Sequence, residues 1–244
     1  MYEIKRAIIM AAGKGTRMRP LTDRIPKPLI NVNGQVMIET CIEALKSNGI
    51  NEIYIVIGYL KEQYSYLCKK YSDITLIENP YYDFCNNISS LYVAKDHLED
   101  VLIMDGDQLI YQSQVLGKYF EISGYNCIWQ PERTEEWVLT VDELGKVIHC
   151  NPTGGTNCWQ LFGISRWTKE DGRKLRQFLI TEFEENKHCE IYWDDIPLTL
   201  HLEDFSLGIF KMGRDAVKEL DDFADLVKLD ASYLSYINSG ETSL

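Results

Sequence analysis

Along the first hundred residues, apolar positions switch between two periods. Ile8-Ile9-Met10-Ala11-Ala12 is a continuous apolar run, predicting a buried strand that stops at Gly13. Val36-Met37-Ile38, Cys41-Ile42 and Leu45 recur at helical spacing, with Gly49 where a C-terminal cap belongs. A strand is predicted over Glu52–Ile57, rich in Ile, Val and Tyr, and a helix over 59–71, with Tyr64, Leu67 and Cys68 on one side. A short strand over 74–77 stops at Asn79-Pro80; a helix over 88–98 and a strand over 101–104 follow. This alternation predicts an α/β fold: a mostly parallel, doubly wound sheet with helices on both faces. Ligands of such sheets sit at the carboxyl ends of the strands.

Beyond residue 120 the pattern becomes antiparallel. Strands are predicted over 125–130 and 159–164, with a hairpin over 138–142 and 146–150 turning through Glu143-Leu144-Gly145. A helix from Thr168 buries Leu175, Phe178-Leu179 and Phe183. The antiparallel pieces are expected as a lid or hairpin insertion over the ligand edge. No repeat or linker-like run divides the chain, so residues 1–237 are expected to form a single domain, with 238–244 as a frayed tail.

The candidate chemistry begins where the first strand ends. Ala11-Ala12-Gly13-Lys14-Gly15-Thr16-Arg17 leads into Pro20-Leu21-Thr22 and then Pro26-Lys27. Glycines let a backbone bend tightly and approach a ligand, and the exposed N–H groups of such a bend, with cations around it, suit a polyphosphate. Ala12, Gly13, Gly15 and Thr16 are the expected cradle; Lys14, Arg17 and Lys27 are the expected cations. The Walker pattern fails, because Lys14 lies between the glycines. The dinucleotide fingerprint fails at Met18, where its third glycine belongs. What remains resembles the signature of the nucleotidyltransferases that activate sugar phosphates and phospho-alcohols with a nucleoside triphosphate.

Charge and composition narrow the partners. A formal net charge of −12 argues against nucleic acid or an anionic membrane as partner. No apolar stretch approaches membrane-spanning length, and the first residues do not read as a signal peptide. Seven cysteines without paired spacing are expected as reduced thiols in a cytoplasm, and not as a zinc site.

A second motif, Met104-Asp105-Gly106-Asp107, closes the fourth strand. Two carboxylates at the exit of an apolar strand are costly unless a cation or solvent satisfies them. A magnesium ion bridging the triphosphate suits the place, since magnesium takes few protein carboxylates and several phosphate oxygens. Two later clusters set aromatic rings beside acids: Glu135-Glu136-Trp137, and Glu190-Ile191-Tyr192-Trp193-Asp194-Asp195. Rings plus carboxylates make a receptor for an ammonium group.

At these places the chain resembles the bacterial CTP:phosphocholine cytidylyltransferases. The similarity is carried by 57–63 (Ile-Gly-Tyr-Leu-Lys-Glu-Gln), Asn86-Asn87 with Ser90-Leu91-Tyr92, Glu136-Trp137 and Tyr192-Trp193-Asp194. The resemblance implies a Rossmann-like nucleotidyltransferase sheet and magnesium held by Asp107 and Asp230, with Asp105 in support. It further implies Asn87 and Ser89 at the base and ribose, the Ala11 backbone at the cytosine, and Trp137, Tyr192 and Asp194 around the ammonium. Lys228 stands where the resembled enzymes tend to carry an acid. A cation there is unfavourable for choline and leaves open phosphoethanolamine or 2-aminoethylphosphonate.

The implied reaction moves CMP from CTP to a phosphate or phosphonate oxygen of the acceptor and releases pyrophosphate. Lys14 and Arg17 are expected on the β and γ phosphates, and Lys27 between the α phosphate and the attacking oxygen. The attacking oxygen is already ionised, so no general base is required. The alternatives are a sugar-1-phosphate nucleotidyltransferase and a non-catalytic nucleotide sensor; the oligomeric state is left open.

Overall fold

A computed structural model describes residues 1–238, and the tail expected from 239 onward lies outside the described residues. In chain order the principal elements are β1 Arg6–Ala11, α1 Met37–Ser47, β2 Glu52–Ile57, α2 Ser65–Lys70, β3 Ile74–Glu78, α3 Ile88–Val93, β4 Val101–Asp105 and β5 Gln108–Ile110. There follow β6 Gly124–Gln130, β7 Val138–Val141, β8 Val147–Asn151, β9 Cys158–Trp167 and α4 Lys169–Ile180. Last come β10 Gly208–Lys211, β11 Val217–Glu219, α5 Phe223–Leu229 and α6 Leu234–Asn238, which takes in Asn238, the first residue of the expected tail.

Four strands run parallel in the order β3-β2-β1-β4. The alternation along β1 divides the core. Ala7, Ile9 and Ala11 join Ile38, Ile42 and Leu45 of α1 and Leu67 of α2 on one face. Ile8 and Met10 join Ile88 and Leu91 of α3 with Leu175 and Leu179 of α4 on the other. A strand buried on both faces must read as a continuous apolar run, which is what residues 8–12 present. Two expected helices are shorter than their periodicity. In 59–71 a 3-10 turn, Lys61–Tyr64, precedes α2, and Leu60 before it is left-handed (φ 48°). In 88–98 the helix ends at Val93, and a turn over Lys95–His97 follows.

The antiparallel insertion is hydrogen-bonded into the same sheet through β9. One edge of β9 carries β6 along most of its length. Its other edge is shared: residues 164–167 pair with β4, and residues 159–160 with β7. The sheet therefore forks between β4 and β7, at the carboxyl end of β4. Gly163 sits in that fork, where a Cβ would come 1.9 Å from Oδ2 of Asp105, so only glycine leaves room for the carboxylate.

The chain returns to the glycine loop late. β11 pairs with β5, setting Glu219 opposite Gln108. A third apolar cluster holds Met18, Leu21 and Ile30 against Leu109, Leu220 and Leu226. That packing brings residues about two hundred positions apart to one cleft.

Candidate active site

The loop after β1 is held open by its neighbours. The Tyr64 hydroxyl donates to the Ala11 carbonyl (2.8 Å), and the Thr22 hydroxyl to that of Gly15 (2.8 Å). Gly15 is left-handed, with φ 60°, and a Cβ there would come 2.9 Å from Cβ of Lys27. The glycine thus serves both the bend and the approach of Lys27. A cavity of about 390 Å³ opens over this loop. Of the expected residues, Ala11, Ala12, Gly13, Gly15, Thr16, Arg17, Lys27, Asn87, Asp105, Asp107 and Tyr192 line it. Ser90, which belongs to the resembled motif over 86–92, lines it as well, as do Glu219 and Asp221, to which the sequence gives no pointer.

Each expected cation meets a carboxylate. Lys27 Nζ lies 2.7 Å from Asp107 Oδ2, and Arg17 lies 3.0 Å from Asp221 Oδ1. Lys14, just outside the cavity lining, is paired with Asp83 in the loop over 80–87. Even so, acids outweigh cations on the cleft floor. Burial, then the charge of Asp107, pushes the Glu219 carboxyl up to about 8. Burial, then Asp107 and Glu219, holds Asp105 well above the carboxylate range, with Lys27 opposing. Acids held protonated in this way ionise when a further cation enters beside them.

The wall above the floor is aromatic. Tyr192 is exposed at the cleft, and the Trp137 ring meets it edge-on, with centroids 5.8 Å apart at 76°. Trp137 is held by its carbonyl, which accepts from Leu161 N of β9 (2.8 Å). Tyr192 N donates to Asp195 Oδ2 (2.9 Å), and Trp193 N to Asn87 Oδ1 (2.9 Å). Burial raises the Glu136 carboxyl, Asp221 raises it further, and Arg17 opposes, so this acid shares the field of the cleft.

Four expected positions need correction. Asp230 stands apart from Asp107. Its Oδ2 accepts from Asn33 N (2.8 Å), and its Oδ1 accepts from the Ser232 backbone N–H (3.0 Å) and hydroxyl (2.6 Å), so it caps the turn that follows α5. The carboxylates beside Asp107 are Asp105, Glu219 and Asp221 instead. Ser89 is fully buried; its hydroxyl donates to the Asn86 carbonyl (2.8 Å) and accepts from Asn79 Nδ2 (3.0 Å), and Ser90 takes the place at the cleft. Asp194 does not line the cavity. Its Oδ1 is shut off from solvent without a hydrogen-bond partner, and burial pushes its carboxyl up to about 7. Lys228 is exposed on α5, with Nζ 3.0 Å from Asp225 Oδ1. It does not line the cavity.

The thiols also depart from expectation at one pair. Cys85 and Cys189 form a disulfide with Cα atoms 4.8 Å apart, while Cys41, Cys68, Cys127, Cys150 and Cys158 are free.

Among the described residues, no helix is long and apolar enough to cross a membrane. Comparison with known proteins agrees with the geometry. Residues 7–175 match the family described as the MobA-like NTP transferase domain. The 2-aminoethylphosphonate cytidylyltransferase of Lancefieldella rimae is 38% identical over 239 residues, 97% of this chain and 96% of that protein. The choline-phosphate cytidylyltransferase of Streptococcus pneumoniae is 33% identical over 227 residues, 92% of this chain and 96% of that protein. The solved CTP:phosphocholine cytidylyltransferase from Streptococcus pneumoniae superposes with a TM-score of 0.86 at 31% identity, covering 94% of this chain and 99% of that one. A sheet, a glycine loop and a cleft of this form, matched over nearly the whole length, leave one conclusion: the chain belongs to the MobA-like NTP transferase family and is a nucleotidyltransferase of the cytidylyltransferase kind.

Proposed function

We propose that this chain is a magnesium-dependent, cytoplasmic enzyme that moves CMP from CTP to a phosphate or phosphonate oxygen of a small aminoalkyl acceptor. Phosphocholine and 2-aminoethylphosphonate are its two leading candidates. The observation that carries the reading is the Trp137–Tyr192 pair standing at the rim of a cleft whose floor holds Arg17 and Lys27. Two near full-length relatives named for acceptors of this kind support it.

Lys27 is almost wholly buried, so its charge is poorly screened. An ammonium in that setting stabilises negative charge spread between the α phosphate and the incoming oxygen. Arg17 and Lys14 bind the remaining phosphates, each exchanging a protein carboxylate for a phosphate oxygen. The backbone N–H groups from Gly13 to Thr16 complete the cradle. The acceptor oxygen is ionised at neutral pH, so the work of the site is alignment and charge compensation.

Magnesium fits this residue set. Asp105, Asp107, Glu219 and Asp221 line one cleft, and no group of three His, Cys, Asp or Glu side chains among the described residues forms a closed metal cage. An ion that takes one or two carboxylates and completes its shell with phosphate oxygens suits such a place. Asp107, with Glu219 or Asp221, would hold it, and the ion would neutralise triphosphate charge.

Lys228 is exposed, pairs with Asp225 and does not line the cavity, so it no longer argues against a quaternary ammonium. The acids around Tyr192 (Glu136 and Asp195) suit a primary ammonium that hydrogen-bonds, and the rings suit either. The test is pyrophosphate release with four nucleoside triphosphates crossed against phosphocholine, phosphoethanolamine, 2-aminoethylphosphonate and glucose-1-phosphate. The reading expects turnover with CTP and an aminoalkyl acceptor. Preference for glucose-1-phosphate would overturn it.

A further inference from the structure

Residues 186–195, which carry Tyr192, lie between two helical turns and hold no helix or strand of their own beyond short turns. A segment of that kind keeps a ring in place only through ties to its surroundings. Beyond the His188–Glu182 bonds and the core packing of Trp193, its ties converge on the loop over 80–87. Asn86 N donates to the Cys189 carbonyl (2.7 Å), Asn86 Nδ2 to the Glu190 carbonyl (3.0 Å), and Trp193 N to Asn87 Oδ1 (2.9 Å). The fourth tie is covalent: the Cys85–Cys189 bond joins positions 104 residues apart. Both cysteines are half-buried and reachable by a small thiol, and Asn87 and Tyr192 line the same cavity.

We propose that the Cys85–Cys189 bond is a redox-controlled brace that positions the Tyr192 segment for the acceptor. The proposal rests on the reading that the acceptor is bound at Trp137 and Tyr192. With the bond closed, the segment is held in its bound-like conformation and less ordering remains for the acceptor to impose. A dithiol reductant opens it by exchange. The two reductant sulfurs give up two electrons and two protons and join in a disulfide of their own, while Cys85 and Cys189 each become a thiol. The hydrogen bonds to Asn86 and Asn87, those between His188 and Glu182 and the packing of buried Trp193 then hold the segment without a covalent tie. In a cytoplasm poised to keep thiols reduced, the open form is the resting one, and an oxidising disulfide donor closes it. The brace acts on the acceptor wall; the glycine loop meets the Cys85 loop through the exposed Lys14–Asp83 pair, and Lys27 is paired instead with Asp107 on the cleft floor.

The experiment compares the whole protein in two forms, verified by thiol titration as five free thiols when oxidised and seven when reduced. Steady-state kinetics are expected to show the acceptor KM about three- to tenfold higher in the reduced form, with kcat and the KM for CTP within about twofold. Cys85→Ser with Cys189→Ser together should match the reduced enzyme and lose all response to dithiol, and Cys68→Ser should keep it. Hydrogen exchange of peptides over 186–193, read without ligand, should be faster in the reduced form and in the double variant. Equal acceptor KM in the two verified forms, equal exchange, or failure to reach five thiols under mild oxidation overturns the proposal. An equal rise in the KM for CTP also overturns it, since that marks general loosening. If Trp137→Leu leaves the acceptor KM unmoved, the acceptor reading fails on its own. The brace is then decided by exchange, where equal rates refute it and faster exchange on reduction upholds it.

Discussion

Nζ of Lys27 and Oδ2 of Asp107 stand 2.7 Å apart at the floor of the cleft, in a pair whose lysine is almost wholly removed from solvent. The lysine reaches that position because Gly15 lacks a Cβ, and the aspartate because it leaves the last turn after β4. Neither charge is independent of the other, and both are committed to the site.

Lys27→Ala should lower kcat by about a hundredfold or more, the scale seen when one electrostatic donor to a reacting centre is removed. The KM for CTP should rise much less, because Arg17, Lys14 and the loop amides remain. Steady-state kinetics separate the two, and a change in KM alone with kcat retained would assign Lys27 a uniform binding role.

Asp107→Asn tests the metal reading. The neutral amide keeps the shape but gives up the charge that draws a divalent ion, so turnover should fall by orders of magnitude and need more magnesium. Glu219→Gln should have the same sign, whereas Asp230→Asn should leave the magnesium dependence unchanged. Magnesium titrations of the three variants decide it.

Trp137→Leu and Tyr192→Leu should each weaken a quaternary ammonium acceptor by about thirtyfold, the equivalent of roughly 2 kcal/mol for a desolvated cation–π contact. CTP binding should stay the same. Because Lys228 pairs with Asp225, Lys228→Glu should not alter the ratio of phosphocholine to 2-aminoethylphosphonate turnover. An unmoved acceptor KM in both ring variants would show the rings to be packing only.

Asp83→Ala releases Lys14 from a competing carboxylate. Exposed pairs of this kind are worth about 0–1 kcal/mol, so the KM for CTP should drop by at most about fivefold. A rise in that KM would mean that Asp83 assists binding.

Asp194 sets a pH signature. Its carboxyl is raised to about 7 in the fold from an ordinary 3.8. Between those values the folded state holds the proton more often than the unfolded chain, so stability falls as pH rises from about 4 to about 7 and levels off above. Asp194→Asn removes the titration. Thermal unfolding across that window should show a shallower decline in the variant, and an identical slope would refute the assignment.

The loop that floors the cleft was legible in the sequence because its residues are local. A buried strand, a glycine in a left-handed bend and three cations fall within twenty residues; Arg17 and Lys27 line one cavity, and Lys14 lies outside its lining, paired with Asp83. The second carboxylate group was not legible. Glu219 and Asp221 reach the cleft through β11, three residues long, whose pairing with β5 leaves no periodic signal. Asp230 was chosen by position relative to a resembled pattern, and the turn after α5 places it elsewhere. Ser89 failed by one residue, because successive residues of a helix point about 100° apart and Ser90 takes the cleft side. The Trp137–Tyr192 contact joins residues 55 positions apart, and only the acid-aromatic composition of the two stretches hinted at it.

The fork in the sheet has a consequence for how such a chain can change. The glycine loop, Lys27, Asp105 and Asp107 lie before the division at β9 and Trp137 and Tyr192 lie later in the chain, with Glu219 and Asp221 returning to the cleft through β11. Gly163 stands where β9 meets the Asp105 carboxylate. Substitutions beyond the division can redraw what the rim recognises while the phosphate cradle keeps its shape. On the proposed reading, change between Trp137 and Tyr192 alters the acceptor, while the glycine loop before that stretch and Glu219 and Asp221 after it are inherited intact.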